Sequence, residues 1–302
     1  MADLKEWQFD IDGVLMGAGT DIPVGEVEGI AGPEQRTQDT ENPAGDGIFP
    51  GVDLYGARTI RMEAGIRTPG DPGRALDLLA QLQSAADNPD VRLTPGAMSV
   101  LRMRWPGRDA RRLYGRLRRV EATSTAHTVH GWIPLDLEFV AVDPLYHDDD
   151  ASSLTLPLSA DGLGGFRAPL VAPLTTGVAI PDERRGWMTN DGDRPAWPSL
   201  VITGPCTNPR IRQVESGRVL ELNTSLGRGE RIEIETRPGT RWVLKNGSGN
   251  LAPALSAATR LEDFTVPPGT SELWWTARNY SNATRLAITW RAAYAALSRR
   301  SP

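Results

Sequence analysis

Apolar and polar residues alternate with a period of two through much of the first half of the chain. Trp7, Phe9 and Ile11 alternate with Gln8, Asp10 and Asp12, which suits a half-buried strand closing at Gly13. Ile60, Met62, Ala64 and Ile66 share one face of a second strand, with Arg61, Glu63 and Arg67 on the other. Leu101, Met103 and Trp105 oppose Arg102 and Arg104, and in "WIPLDLEFVAV" Ile133, Leu135, Leu137 and Phe139 line one face. One segment, "DPGRALDLLAQLQSAADNP", changes to helical spacing. Asp71 is a good N-cap, Pro72 suits the first turn, and Leu76, Leu79, Leu82 and Ala86 form a stripe that stops at Asn88-Pro89. A helix over about 72–86 is therefore predicted among antiparallel strands, covering one face of their sheet.

The run "AVDPLYHDDDASS" interrupts this pattern, and a domain boundary is expected near Asp150. Beyond it nearly everything reads as strand: "PSLVITG", "RVLELN", "ERIEIET", "TRWVLKNGSG", "RLEDFTVPPG", "SELWWTARNY" and "TRLAITWRAAY". Asn246-Gly247 is a hairpin-type turn. The expected fold is mainly β. Residues 1–150 make an α+β domain with one amphipathic helix, and residues 151–302 an antiparallel β-sandwich.

Composition narrows the function classes. The 302-residue chain has a formal charge of −5 and a pI near 5.4, so no global basic field draws it to nucleic acid or anionic lipid. Cys206 is the single cysteine, which excludes an internal disulfide framework. No run of about 18 apolar residues predicts a membrane span, and the start shows no signal-like apolar segment. A soluble protein folded inside a cell is expected. Lys5 and Lys245 are the only lysines, so arginine supplies nearly all the positive charge.

The residues that could carry chemistry have simpler readings. His127 and His130 are three apart and would point to opposite faces of a strand. His147 to Asp150 ("HDDD") reads as a solvated linker. "NDGDRP", Asn190 to Pro195, begins like a calcium loop but lacks its later ligands, so it reads as a turn. "GLGGF", Gly162 to Phe166, has neither the strand before nor the helix after that phosphate binding needs. Glu233 and Glu235 alternate with Ile232 and Ile234 as a solvent face, and no histidine accompanies Cys206 as a base. Catalytic, cofactor and metal residues are accordingly expected to be none.

Two features point to surfaces. Arginines 104, 108, 111, 112, 116, 118 and 119 cluster around Trp105 and Tyr114, which fits either single-stranded nucleic acid or a hairpin whose outward arginines meet acidic neighbours. The acidic whole favours the hairpin. Trp274 and Trp275 are adjacent on a strand, so one faces the core while the other is a candidate glycan or partner contact.

The order of these signals resembles a known family. An N-terminal strand, a long Gly/Pro loop, "YGARTIRMEAGI", the amphipathic helix, the arginine hairpin and "PLDLEFVAVDPLY" resemble the N-terminal domain of siphovirus-type distal tail proteins of long-tailed bacteriophages. "PSLVITGPCTNPRI", "GRVLELNTSLGRGERIEIET", "LKNGSG", "FTVPPGTSELWW" and "TRLAITWRAAY" resemble the family's C-terminal sandwich, and the match is thinnest over Ser152 to Trp197. The resemblance implies a non-enzymatic minor tail protein in the virion, with no cofactor, assembled in the host cytoplasm. It implies a split-barrel N-terminal domain that builds a ring, usually hexameric, between the tail tube protein and the tail-tip hub protein. A galectin-like outer domain would carry fibres or receptor-binding parts. Neither specific nucleic acid binding nor membrane insertion is implied.

On that reading Arg104, Arg111, Arg112, Arg116 and Arg118 are a candidate assembly interface, and "TENPAGDGIFPGVD" is a loop ordered on assembly. The alternative is a carbohydrate-binding protein acting through the sandwich and its Trp274 and Trp275. A hydrolase is a third class, disfavoured by the missing pair of nucleophile and base.

Overall fold

Asp12 and Gly13 both adopt positive φ, 48° and 95°, the conformation that a two-residue hairpin turn of the primed type demands. They join β1 (Gln8–Ile11) to β2 (Val14–Gly17). The computed structural model describes residues 3–158 and 184–298, which fall into two units. The first contains residues up to 149 together with those from Tyr294 onward, and the second runs from Asp150 to Ala293. "GLGGF" lies outside the described residues.

In the first unit β3 (Val24–Glu28) leads into a ribbon of short strands. Here β4 (Gln35–Arg36) pairs with β7 (Leu54–Tyr55), and β5 (Thr40–Glu41) with β6 (Ile48–Phe49). Then follow β8 (Arg58–Arg67), α1 (Pro72–Ala86), α2 (Pro89–Arg92), β9 (Ser99–Arg104), β10 (Ala110–Ala122), β11 (Trp132–Ala141) and β12 (Tyr146–Asp148). The main sheet runs β2-β1-β9-β10-β11-β8-β3, antiparallel throughout, with β12 paired to the first residues of β10. Phe9, Ile11, Ile60, Met62, Ile66, Leu101, Met103, Ile133, Leu135, Leu137 and Phe139 are buried, as their alternation requires.

The helix occupies 72–86, and the Asp71 side chain accepts a hydrogen bond from the Arg74 amide at 2.9 Å. Its buried positions differ from the expected stripe: Ala75 and Leu82 are covered, whereas Leu76 is 51% exposed. Ala75 lies seven residues before Leu82, two helical turns, and so shares its face, while Leu76 is turned away by about 100°. The proline at 89 starts a second helix, α2, capped by Asn88, that the periodicity did not reveal.

The second unit comprises β13 (Ser152–Pro157), β14 (Arg185–Asn190), β15 (Ser199–Thr203), β16 (Cys206–Gln213), β17 (Val219–Glu221), β18 (Ser225–Leu226), β19 (Arg231–Glu235), β20 (Trp242–Lys245), β21 (Gly249–Asn250), β22 (Gly269–Arg278) and β23 (Arg285–Trp290). They form two antiparallel sheets, β13-β23-β15-β19-β20-β21 and β14-β22-β16-β17, with β18 beside β16. Leu200, Ile202, Ile211, Ile232, Ile234, Leu273, Trp275, Leu286 and Ile288 fill the core. One expected strand is absent: in "RLEDFTVPPG", Leu261–Asp263 is a 3-10 turn, and Val266 makes only an isolated bridge to Ala196. The protein is mainly β, as its alternation indicates.

Candidate functional site

The arginine hairpin is divided by the fold between interior and surface. Arg102, Arg111 and Arg112 are buried. The Asp149 carboxylate accepts from Arg102 Nε at 2.9 Å and from an Arg112 terminal nitrogen at 2.7 Å, and Arg102 also approaches Asp10 at 3.7 Å. Arg111 is bonded to Asp148 and stacks on Tyr294, its guanidinium carbon 4.0 Å from the ring centroid. His147, also buried, lies 2.8 Å from Asp143 and packs edge-on against Tyr114 at 5.3 Å. The run His147 to Asp149 is therefore the counter-charge of a buried cluster and not a solvated linker. Strand β12 returns alongside β10, with Arg111 opposite Asp148 and Arg112 opposite His147, and this pairing delivers the carboxylates.

Burial works against the Asp149 carboxylate, but hydrogen bonds from Arg102 and Arg112 outweigh it and hold its pKa below the usual range. The same bond to Asp149 raises that of Arg102. A further buried guanidinium, Arg58, donates to the Pro144 carbonyl at 2.9 Å, the Ala295 carbonyl at 3.2 Å and the Tyr146 hydroxyl at 3.1 Å. Burial lowers the Arg58 pKa, with Tyr146 opposing the effect, and burial raises that of Tyr146.

Of the remaining candidate arginines, Arg104 donates to the Leu4 carbonyl at 2.9 Å, and Arg116 to the Ala97 carbonyl at 3.1 Å. Arg118 is exposed. The register between β10 and β11 slips between Leu117 and Arg119, so Arg118 is the extra residue of a bulge, and Arg118 and Arg119 both reach solvent. Arg111 and Arg112 thus lie in the interior of the unit, against Asp148 and Asp149, and Arg118 lies at its surface.

Two surface features escaped the sequence reading. The ribbon from β4 to β7 exposes Ile48, Phe49, Val52, Leu54 and Tyr55, with Phe49 57% and Val52 63% accessible. The segment was expected as a polar loop; its apolar run of "IFPGVDLY" was the available signal. On the outer face of the main sheet, Glu26, Glu63, Asp136 and Glu121 stand directly opposite one another across β3, β8, β11 and β10. Like charges so placed destabilise a sheet. The adjacent row alternates, as Glu28, Arg61, Glu138 and Arg119, with Arg61 3.2 Å from Glu138.

The tryptophan pair resolves in one direction. Trp275 is 0% exposed, at the core, and its indole nitrogen has no hydrogen-bond partner among the described residues, so it is corrected from a contact residue to a core residue. Trp274 is 36% exposed on the outer face of β22, and Trp187, which sequence reasoning passed over, is 59% exposed on β14.

Other motifs have structural roles. The Asn190 side chain donates to the Arg194 carbonyl at 2.8 Å and the Val266 carbonyl at 2.9 Å, closing the "NDGDRP" turn. His127 and His130 lie at a 3-10 turn with ring centroids 6.5 Å apart, rather than on a strand. Burial pushes the Cys206 thiol up to about 11. Among the described residues no three His, Cys, Asp or Glu side chains converge as a metal site.

Comparison with known proteins places this geometry. Residues 191–294 match the family described as siphovirus-type tail component, C-terminal domain. Over 96% of its length the chain shares the fold of the Dit protein of phage SPP1, described as a paradigm of the hub adsorption apparatus in phages infecting Gram-positive bacteria, with a TM-score of 0.56 and 14% identity over 99% of that chain. A chain of the phage P2 baseplate in its calcium-activated conformation matches with a TM-score of 0.57 and 12% identity, covering 93% of this chain and 97% of that one. The strontium form of the same baseplate gives the same values. No curated protein sequence matches the chain.

Proposed function

We propose that this chain is a non-enzymatic structural protein of a long-tailed bacteriophage, forming a ring at the distal end of the tail tube. The ring joins the tube protein to the tail-tip hub and, through it, to host-recognition fibres, so that the mature protein sits in the virion after assembly in the host cytoplasm. The observation that carries this reading is the coextensive fold: a hub protein's fold covers 96% of this chain and 99% of its own. The family match over 191–294 independently supports a tail component.

Residues 1–150 are the ring-forming domain on this reading, and the later residues the peripheral one. The ribbon supports the assignment. Five large apolar side chains between Ile48 and Tyr55 are exposed in the single subunit, and ordering them there gains little burial to offset the entropy lost. Packed against a second copy they would be desolvated in a heterologous contact that closes a ring. Arg118, with Arg116 beside it, supplies the charged part of the contact.

Native mass over a concentration series, with negative-stain images of the same samples, tests the proposal. Closed rings with a central channel are expected. A monomer that persists at every concentration, and also in the presence of the tube protein, would overturn it. Charge reversal at Arg116 and Arg118 should weaken the ring, and an unaffected ring would remove those residues from the interface.

A further inference from the structure

Arg58 is 1% exposed, yet among the described residues no carboxylate forms an ion pair with it. Its guanidinium reaches instead to three stretches far apart in sequence. Nη1 donates to the Gly29 and Ile30 carbonyls at 3.4 and 3.2 Å, where the chain enters the ribbon, and Arg58 itself stands where the chain leaves it. Nε donates to the Pro144 carbonyl and Nη1 to the Tyr146 hydroxyl, shortly before the chain departs for the second unit. Nη2 donates to the Ala295 carbonyl, just after the chain returns. The Tyr146 ring lies 4.4 Å from the guanidinium carbon, and its hydroxyl donates to the Ile30 carbonyl at 3.3 Å.

We infer, resting on the ring reading, that Arg58 is a joint coupling the order of the ribbon to the seating of the C-terminal segment. Docking of the ribbon on a neighbour and anchoring of the second unit's two connections then reinforce each other. Burying a cation without a counter-charge is costly, and an apolar side chain of similar volume commonly serves stability as well or better. Stability alone therefore does not account for an arginine here. What arginine supplies is a rigid planar fork of donors that binds the feet of the ribbon and both connections at once. A lysine offers a single point, and an apolar residue offers nothing. Because all these acceptors share one fork, losing an acceptor in one stretch lets the guanidinium shift and loosens its hold on the others. The ribbon is the element whose order can be biased: with Phe49 and Val52 exposed, it gains little from order in the lone subunit and much in a contact. Such coupling is reciprocal.

Hydrogen exchange, read on proteolytic fragments of the dilute subunit, tests the joint through a double-mutant cycle. Deleting residues 295–302 removes the Ala295 acceptor and should speed exchange at 29–36 at least about threefold, although the two stretches lie at opposite ends of the chain. Arg58→Met in the full chain should speed exchange at 29–36 and at 294–298 together, by about tenfold. In the Arg58→Met background the deletion should add nothing further at 29–36, whereas two independent losses of packing would add. Strands β15 and β19 should exchange as in the parent, reporting that the second unit is intact. Tyr146→Phe removes only a hydroxyl, should give a smaller rise at the same segments, and takes the place of Arg58→Met in the cycle if that variant does not fold. Where native mass shows rings, exchange at 294–298 should slow on assembly in the parent but not in Arg58→Met. A deletion without effect at 29–36, or with the same effect in both backgrounds, would overturn the joint. Rings that leave 294–298 unchanged would overturn its link to assembly. A subunit that never assembles would overturn the ring reading instead, and the cycle in the dilute subunit decides the joint independently.

Discussion

The Arg112 guanidinium meets the Asp149 carboxylate at 2.7 Å with both side chains about nine-tenths buried, and Arg102 reaches the same carboxylate from β9. One aspartate thus ties together strands β9 and β10 at the point where the chain leaves the first unit. Removing its charge takes the shared counter-charge away from two buried guanidiniums, although Arg102 keeps Asp10 at 3.7 Å. Asp149→Asn should therefore destabilise the first unit by about 3–5 kcal/mol, measured by chemical denaturation, because breaking a buried pair costs more than the pair contributes.

The same carboxylate gives a pH dependence. Its folded pKa is depressed, so its contribution is fully present above the unfolded aspartate value of about 3.9 and is lost as pH falls through the lower folded value. Stability measured down an acid series should fall over that window in the parent. In Asp149→Asn the slope there should be shallower.

Exposed ribbon residues should separate assembly from folding. Phe49→Asp with Val52→Asp should shift the unfolding free energy of the subunit by no more than about 0.5 kcal/mol, since neither side chain is buried within it. The same pair should abolish the high-mass species in native mass measurements. A ring that survives would mean that the ribbon is not the subunit contact.

Gly65 and Trp132 form a second coupled pair. The Trp132 ring lies where a Cβ on Gly65 would project, so Gly65→Ala must displace an indole and should cost about 1–3 kcal/mol. In a Trp132→Ala background the same change should cost little or become stabilising, because alanine suits a strand interior better than glycine. A double-mutant cycle on denaturation midpoints measures the coupling.

The adjacent tryptophans should behave oppositely. Trp275→Ala empties a core position and should cost about 3–5 kcal/mol, whereas Trp274→Ala should stay within about 1 kcal/mol. Thermal unfolding of both variants distinguishes them.

Cys206 should resist alkylation in the native protein at pH 8, because burial both hides the thiol and holds its pKa near 11. It should react readily once denaturant opens the sandwich. A mass-shift assay with and without denaturant reads both states.

The alternation of Phe9 with Ile11, or of Ile133 through Phe139, determined these strands and their buried faces, because side-chain direction in a strand repeats every two residues and needs no knowledge of the partner. Asp71 and Pro72 determined the helix start in the same local way. The resemblance to distal tail proteins was likewise carried by short phrases of sequence. What only the tertiary structure decided was the company each polar residue keeps. Arg111 and Arg118 look alike in one arginine-rich run, yet one lies against Asp148, 37 positions along the chain, and the other stands out on a bulge. Trp274 and Trp275 had to face opposite ways, but which one met the core depended on the second sheet of the sandwich. Periodicity is a property of neighbours along the chain, whereas charge compensation and surface exposure belong to neighbours in space.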